Sequence, residues 1–385
     1  MWRRSKERRE KNSHMRHLNI GMIAPTIGGG IETQLTNVIP LLKANGHNVT
    51  VLTSNGCSLE GSEVLHVCSL PFPSKLYAFM PRLVDAVMKL TNECDLIHVH
   101  GYPCYAADLA TVLRNVHRRP VIITLHGSFH QYTSTLTFYE KRFHNSFMLR
   151  FAKNVDKFVA VSQAEKDIVA RNGLPEQRIV VVYNGVDEKY SHLERSEYLR
   201  NMFGEGRYVL YLGRLSSSKN LSVLLRAFET VSKAMCDARL IIAGPDDGEL
   251  TNLKRLAEEL MIDKRVRFMG QVTSEEKSRI ISSADVFVHP SVQDIFAITI
   301  LEASASALPV IAFDTEGSRE MILDGETGVL VKERSYGALA HAIEKSLGSE
   351  SIFGTLGQNG RRYISDRFSW QKTVTGLEKI YYSMV

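Results

Sequence analysis

The chain has few cysteines, and none of them are arranged to act together. Cys57, Cys68, Cys94, Cys104 and Cys236 are odd in number and contain no C-x-x-C pair. That argues against a disulfide-stapled scaffold and favours a reducing compartment, so the cytoplasm is the expected location. Long apolar runs are also missing: the longest candidate, Phe296 to Phe313, carries Glu302 and Pro309 inside it, which is incompatible with a membrane span. "LNIGMIAP" is too short for the core of a signal peptide, and it leads into Gly28 and an amphipathic segment where a cleavage site should stand. A charge excess is absent outside one short stretch. Residues 1–17 hold seven Lys or Arg against Glu7 and Glu10, which accounts for the whole formal charge of +5. A nucleic-acid binder with a broad basic surface is thereby disfavoured. The tail itself reads as a disordered extension, with contact to anionic lipid as the alternative.

What is present is an ordinary globular composition, 44% hydrophobic and 23% charged, in 385 residues. This exceeds what one core usually supports, so two domains are expected. From Leu18 onward short apolar runs alternate with helical patterns, as in βα units that build parallel sheets. "LNIGMIAP", "HNVTVLTS", "EVLHVCSL", "DLIHVHG", "VIITLHG", "KFVAVS" and "IVVVYNG" read as strands. Between the first two, Leu35, Val38, Ile39 and Leu42 recur at spacings of three and four, predicting a helix over 32–45 with Pro40 as a kink. Residues 188–207 are polar, and "YVLYLGRL" then opens a second series that continues through "RLIIAGPD", "VRFMGQV", "VFVHPS", "PVIAFD" and "GVLVK". The expected organisation is an α/β chain with a basic extension over 1–17, one domain over 18–190 and a second over 207–365, followed by a final helix over 366–385.

Ligands of open α/β sheets gather at the carboxyl ends of the strands, so the loops there carry the chemistry. After the first strand, "TIGGGIETQL" offers glycines, Gly29 and Gly30 among them, that let backbone approach an anion at a helix start. It does not meet G-x-G-x-x-G, and the second strand ends in Ser54 and Asn55 where an acid should hold a ribose, so an NAD site is excluded. Tight packing of the turn is the plainer alternative. Arg214 and Lys219 follow "YVLYLGRL" five residues apart; they are either solvated surface charges or a cationic cradle for a diphosphate.

"SVQDIFAITILEASA" sets Asp294 in a loop and Glu302 about one turn into a helix starting near Ala297 or Ile298. The helix start suits phosphate and the two acids suit hydroxyls, whereas a merely buried helix would leave Glu302 in need of partners. His98, His100, His126 and His130 have spacings that permit zinc, but no dense ligand set accompanies them and no metal is expected. His126, ending a strand, is the best placed of them for a substrate.

Taken together, "GGGIE", "HVHG", "TLHG", "VSQAEKD", "NGVD", "GRLSSSKN", "AGPDDGEL", "ADVFVHPS", "DIFAITILEA", "LPVIAFD" and "DGETGVLV" resemble glycosyltransferase family 4 in family order from about Ile20 to Tyr381. The resemblance implies a GT-B fold, with two Rossmann-like domains facing across a cleft and the last helix crossing back to the first. It implies transfer of a sugar from a nucleotide-diphosphate sugar with retention of configuration, without cofactor or catalytic metal, which the lack of a D-x-D motif fits.

By motif, Arg214 and Lys219 would bind the departing diphosphate with Gly30 and the amides near Ala297 and Ile298. Glu302 would hold the ribose, Gln271 and Val272 the base, and His126, Asp294 and Phe296 the transferred sugar. Asp294 departs from the usual Glu, and Ile295, Phe296 and Ala297 replace Gly-Phe-Gly, which leaves the sugar preference open. The acceptor would be a glycan, a lipid-linked glycan or a small molecule. The stretch "EKRFHNSFMLRFAKNVDKF" mixes basic and aromatic residues and suits either packing on the first sheet or peripheral membrane contact. A nucleotide-sugar epimerase of the same fold and a catalytically silent sugar-nucleotide binder at a membrane are the alternatives.

Overall fold

The computed structural model describes residues 16–25, 28–54, 59, 62–67, 82–102, 104–127 and 148–385. Most of the basic tail, His130, Cys57, Cys68 and residues 140–147 of the basic and aromatic stretch lie outside them. The chain divides into two compact units, Met1–Tyr183 with Trp370–Val385, and Asn184–Ser369.

In the first unit the described strands are β1 Asn19–Ile23, β2 Asn48–Thr53, β3 Glu63–His66, β4 Leu96–His100, β5 Val121–Thr124, β6 Lys157–Ala160 and β7 Ile179–Val181. They pair in parallel in the order β3-β2-β1-β4-β5-β6-β7. Strands covered on both faces need continuous apolar runs, and β4 and β5 are buried at every residue. The helix Gly29–Ala44 runs from β1 to β2 and buries Leu35, Val38, Ile39 and Leu42, with Pro40 inside it on the exposed side. The terminal helix Trp370–Tyr382 returns to this unit. Its Glu378 accepts hydrogen bonds from Asn45 and pairs with His47, while Thr373 donates to the carbonyl of Tyr183 at 2.7 Å. Of the basic and aromatic stretch, Met148–Asn154 is a 3-10 helix in which Ala152 is buried and Phe151 half-buried.

The second unit contains β8 Arg207–Leu212, β9 Ala238–Ala243, β10 Val266–Gly270, β11 Val286–His289, β12 Val310–Phe313 and β13 Val329–Val331, parallel in the order β10-β9-β8-β11-β12-β13. Its core joins Val209, Tyr211, Leu240, Ile242, Val286 and Val288 of the sheet to Leu224, Leu225 and Phe228 of the helix Leu221–Ala234. The polar stretch ahead of β8 is anchored by a few residues. Tyr190 is buried, and Arg195 and Arg200 both pair with Asp285. In each sheet the direction of winding reverses beside a central strand, between β1 and β4 and between β8 and β11. Loops leaving the carboxyl ends at such points diverge and open a crevice. No helix among the described residues is long and apolar enough to cross a membrane.

Candidate active site

In the second unit the charged residues collect at the reversal between β8 and β11. Arg214 and Lys219 follow β8, His289 is the last residue of β11, Asp294 stands five residues on, and the helix Ile298–Ala305 begins four residues after it. Glycines make the approach of these loops possible. A Cβ on Gly244 would collide with the carbonyl of Gly213, and one on Gly317 with the carbonyls of Asp294 and Ile295. The β8 and β9 loops are tied by Leu215 N–H donating to Pro245 at 2.9 Å and Asp247 N–H donating to Leu215 at 3.0 Å. This brings Asp247 to Arg214, whose Nη1 donates to Asp247 Oδ2 at 3.0 Å.

Lys219 donates from Nζ to Asp294 Oδ1, and His289 Nε2 lies 2.7 Å from Asp294 Oδ2. Burial alone would raise the pKa of Asp294; Lys219 and His289 outweigh it and hold the carboxyl well below the usual carboxylate range. The two cations differ in setting. Lys219 and Asp294 are 13% and 24% exposed, Arg214 and Asp247 43% and 30%, so water screens the second pair far more and a ligand displaces it more easily.

The helix Ile298–Ala305 begins after Ala297 with no side chain capping it, which leaves its first amides for an anion. Glu302, 3% exposed, accepts from Lys277 Nζ at 2.5 Å through Oε1, while its buried Oε2 has no hydrogen-bond partner among the described residues. Lys277 comes from the helix Ser274–Ser283, which Thr273 and Glu276 start with a reciprocal capping box. Burial, and next to it the Glu302 carboxylate, push the pKa of Tyr190 up. Gln271 and Val272 lie between β10 and this helix, the first exposed and the second half-buried. Phe296 packs its ring edge-on against Phe368 at 5.6 Å between centroids. The site therefore unites Lys219 with Asp294, sets Arg214 on Asp247 and sets Glu302 on Lys277. His289, Asp247, Lys277 and Tyr190 were not singled out from sequence; of these, His289 carried a signal in its place at the end of "VFVH", and Asp247 in its place within "AGPDDGEL".

The first unit gathers a different set. His98 and His100 alternate along β4 and so share a face, with ring centroids 4.3 Å apart. His98 is bound on both nitrogens, Nδ1 to Tyr381 Oη and Nε2 to Thr124 Oγ1, each at 2.7 Å. His100 Nδ1 is 3.1 Å from His126 Nε2, and His100 Nε2 is buried without a partner among the described residues. Burial lowers the pKa of His98 and His126 to about 3 and that of His100 well below its ordinary value. His126 itself adopts φ 58°, a left-handed conformation unusual for a side-chain-bearing residue. Glu165 holds the turn by accepting from Gly127 N–H, and from Val161 N–H at 2.7 Å. Gly29 and Gly30 open their helix, and a Cβ on either would meet nothing within 4 Å among the described residues. Among the described residues no group of three or more His, Cys, Asp or Glu is arranged to hold a metal ion.

Two parallel, helix-covered sheets with polar residues at the carboxyl ends of their strands define a two-unit α/β protein. The fold is GT-B. The Anabaena HepE structure in complex with UDP-glucose superposes with a TM-score of 0.80 at 20% identity, covering 95% of this chain and all of that one. The family model for glycosyl transferases group 1 matches residues 200–363 and that for glycosyltransferase family 4 matches residues 28–190. The chain belongs to glycosyltransferase family 4 and is a glycosyltransferase. It is 27% identical to the phosphatidyl-myo-inositol mannosyltransferase of Mycobacterium leprae over 94% of this chain and 96% of that protein. It is 24% identical to the capsular polysaccharide biosynthesis glycosyltransferase CapM of Staphylococcus aureus over 96% and 97%.

Proposed function

We propose that the protein transfers a hexosyl unit from a nucleotide-diphosphate sugar to an acceptor hydroxyl with retention of configuration, without a catalytic metal. The observation that carries this reading is the charge arrangement at the β8–β11 reversal. Two fixed cations, an uncapped helix start and a buried carboxylate with one unused oxygen match a diphosphate joined to a ribose. In the transfer, the bond from the anomeric carbon to the phosphate oxygen breaks and its electron pair leaves with the diphosphate. Arg214 and Lys219 stabilise that growing charge in a site that needs no reorganisation as it forms. The acceptor oxygen bonds to the anomeric carbon on the same face, and its proton passes to a departing phosphate oxygen. Glu302 Oε2 accepts from ribose hydroxyls, Gln271 and Val272 meet the base, and His126, Asp294 and Phe296 meet the sugar. The first unit serves the acceptor, a glycan or lipid-linked glycan; similarity to a phosphatidyl-myo-inositol mannosyltransferase and to a glycosyltransferase of capsular polysaccharide biosynthesis supports that choice.

A donor panel read by nucleotide release, begun with UDP-glucose because the HepE structure holds it, tests the reading. Arg214→Ala should lower turnover about 100- to 1,000-fold, the size expected when a preorganised charge partner is lost, while added chelator should leave the wild-type rate unchanged. Near-normal turnover by the variant removes the leaving-group assignment, and a rate abolished by chelator removes the metal-free one.

A further inference from the structure

The histidines of the first unit determine where their protons sit. β4 and β5 pair with His100 beside Thr124, and His126 follows two residues later, so the sheet register sets His100 Nδ1 against His126 Nε2 at 3.1 Å. Between two neutral imidazoles one ring must donate and the other accept. Were His126 the donor, His100 would carry its proton on Nε2, and that atom is buried with no partner among the described residues. An orphaned buried N–H costs about 1–3 kcal/mol and is rarer in proteins than an under-used acceptor. With His100 as donor, the same atom is only a bare lone pair. His126 then accepts on Nε2 and carries its own proton on Nδ1. That nitrogen makes no hydrogen bond among the described residues, and His126 is half-buried. The arrangement is held from behind. His98, fixed by Tyr381 of the terminal helix and by Thr124, lies against His100, and the turn at His126 is pinned through Gly127 by Glu165.

We propose that His100 is a positioning residue: it locks His126 in the Nδ1–H tautomer, so that His126 has one N–H donor and no acceptor left for an oxygen of the bound ligand. The tautomer stands on the geometry alone; that the oxygen belongs to the transferred sugar rests on the transferase reading above. Because an isolated histidine side chain favours the proton on Nε2, the assignment has a spectroscopic signature.

Long-range 1H–15N correlation spectra of the full chain labelled at histidine test it without any sugar nucleotide, and His126→Gln identifies the resonance. The expected result is a neutral His126 protonated on Nδ1. In His100→Leu that preference should be lost, and in His100→Asn, which keeps an N–H donor near the Nδ1 position, it should be retained. Turnover in the nucleotide-release assay should fall about tenfold further for His100→Leu than for His100→Asn, the worth of one hydrogen bond. A wild-type His126 protonated on Nε2 overturns the proposal, as does a His100→Leu protein whose His126 keeps the Nδ1 proton. Should His100→Leu fail to fold, the wild-type spectrum decides alone. Silence in every donor assay with the expected spectrum would sink the transferase reading and leave the tautomer intact.

Discussion

The two units place polar side chains at the carboxyl ends of similar sheets, charged in one and neutral in the other. At the β8–β11 reversal the groups come as pairs of opposite charge, Lys219 with Asp294, Arg214 with Asp247 and Lys277 with Glu302. At the carboxyl ends of β4 and β5 the cluster is His98, His100 and His126 with Thr124 and Tyr381, kept neutral by burial. A buried charge persists only beside a partner, and a buried titratable group without one gives up its charge. On the function proposed above, one unit receives the diphosphate by exchanging ion pairs, and the other offers neutral hydrogen bonds.

The largest expected effect bears on the charged side. Lys219→Met should reduce turnover about 100- to 1,000-fold and destabilise the protein by leaving Asp294 short of a partner. Adding Asp294→Asn should restore thermal stability but not turnover, a separation read by melting temperature and nucleotide release. Recovery of both would mean that Lys219 serves only to neutralise Asp294. Next, Glu302→Gln should weaken donor binding in calorimetry about ten- to a hundredfold, the range of a hydrogen bond to a charged group. Unchanged affinity would take the ribose away from Glu302.

The neutral side predicts a pH effect. Histidines whose folded pKa lies below the unfolded value of about 6.5 bind protons in the unfolded chain before they do in the native one. Their contribution is complete above that pH and is lost as pH falls through the window down to about 3. Urea unfolding at stepped pH should show stability falling below pH ~6.5, with a slope shallower by about 1.4 kcal/mol per pH unit in His100→Leu. An identical slope would show that His100 is not kept neutral by the fold. The smallest effect concerns the backbone: His126→Gly removes the cost of a left-handed residue, about 1–2 kcal/mol. The melting temperature should hold or rise while turnover falls, and a large loss of stability would contradict the strain.

The sheets were legible because parallel strands buried on both faces are mostly apolar, and "DLIHVHG" and "VIITLHG" carry Leu, Ile and Val around their few polar residues. The loop with Asp294 and the helix carrying Glu302 could be read for a related reason, since apolar residues resume beyond the acid at helical spacing. The pairings could not. His100 meets His126 across 26 positions of sequence and Lys219 meets Asp294 across 75, through strand register and glycine-tight loops. The polar stretch 188–207 reads as a linker by composition, but contacts divide the chain at Tyr183–Asn184. Tyr190, Arg195 and Arg200 bind that stretch to the second unit through a handful of side chains that an average over composition does not register.

The most direct test of the charged side is a crystal structure with a nucleoside diphosphate bound. The account predicts the two phosphates within hydrogen-bond distance of Arg214, Lys219 and the first amides of the helix Ile298–Ala305, with Asp247 released from Arg214. A diphosphate seated elsewhere, with the Arg214–Asp247 and Lys219–Asp294 pairs both intact, would contradict it.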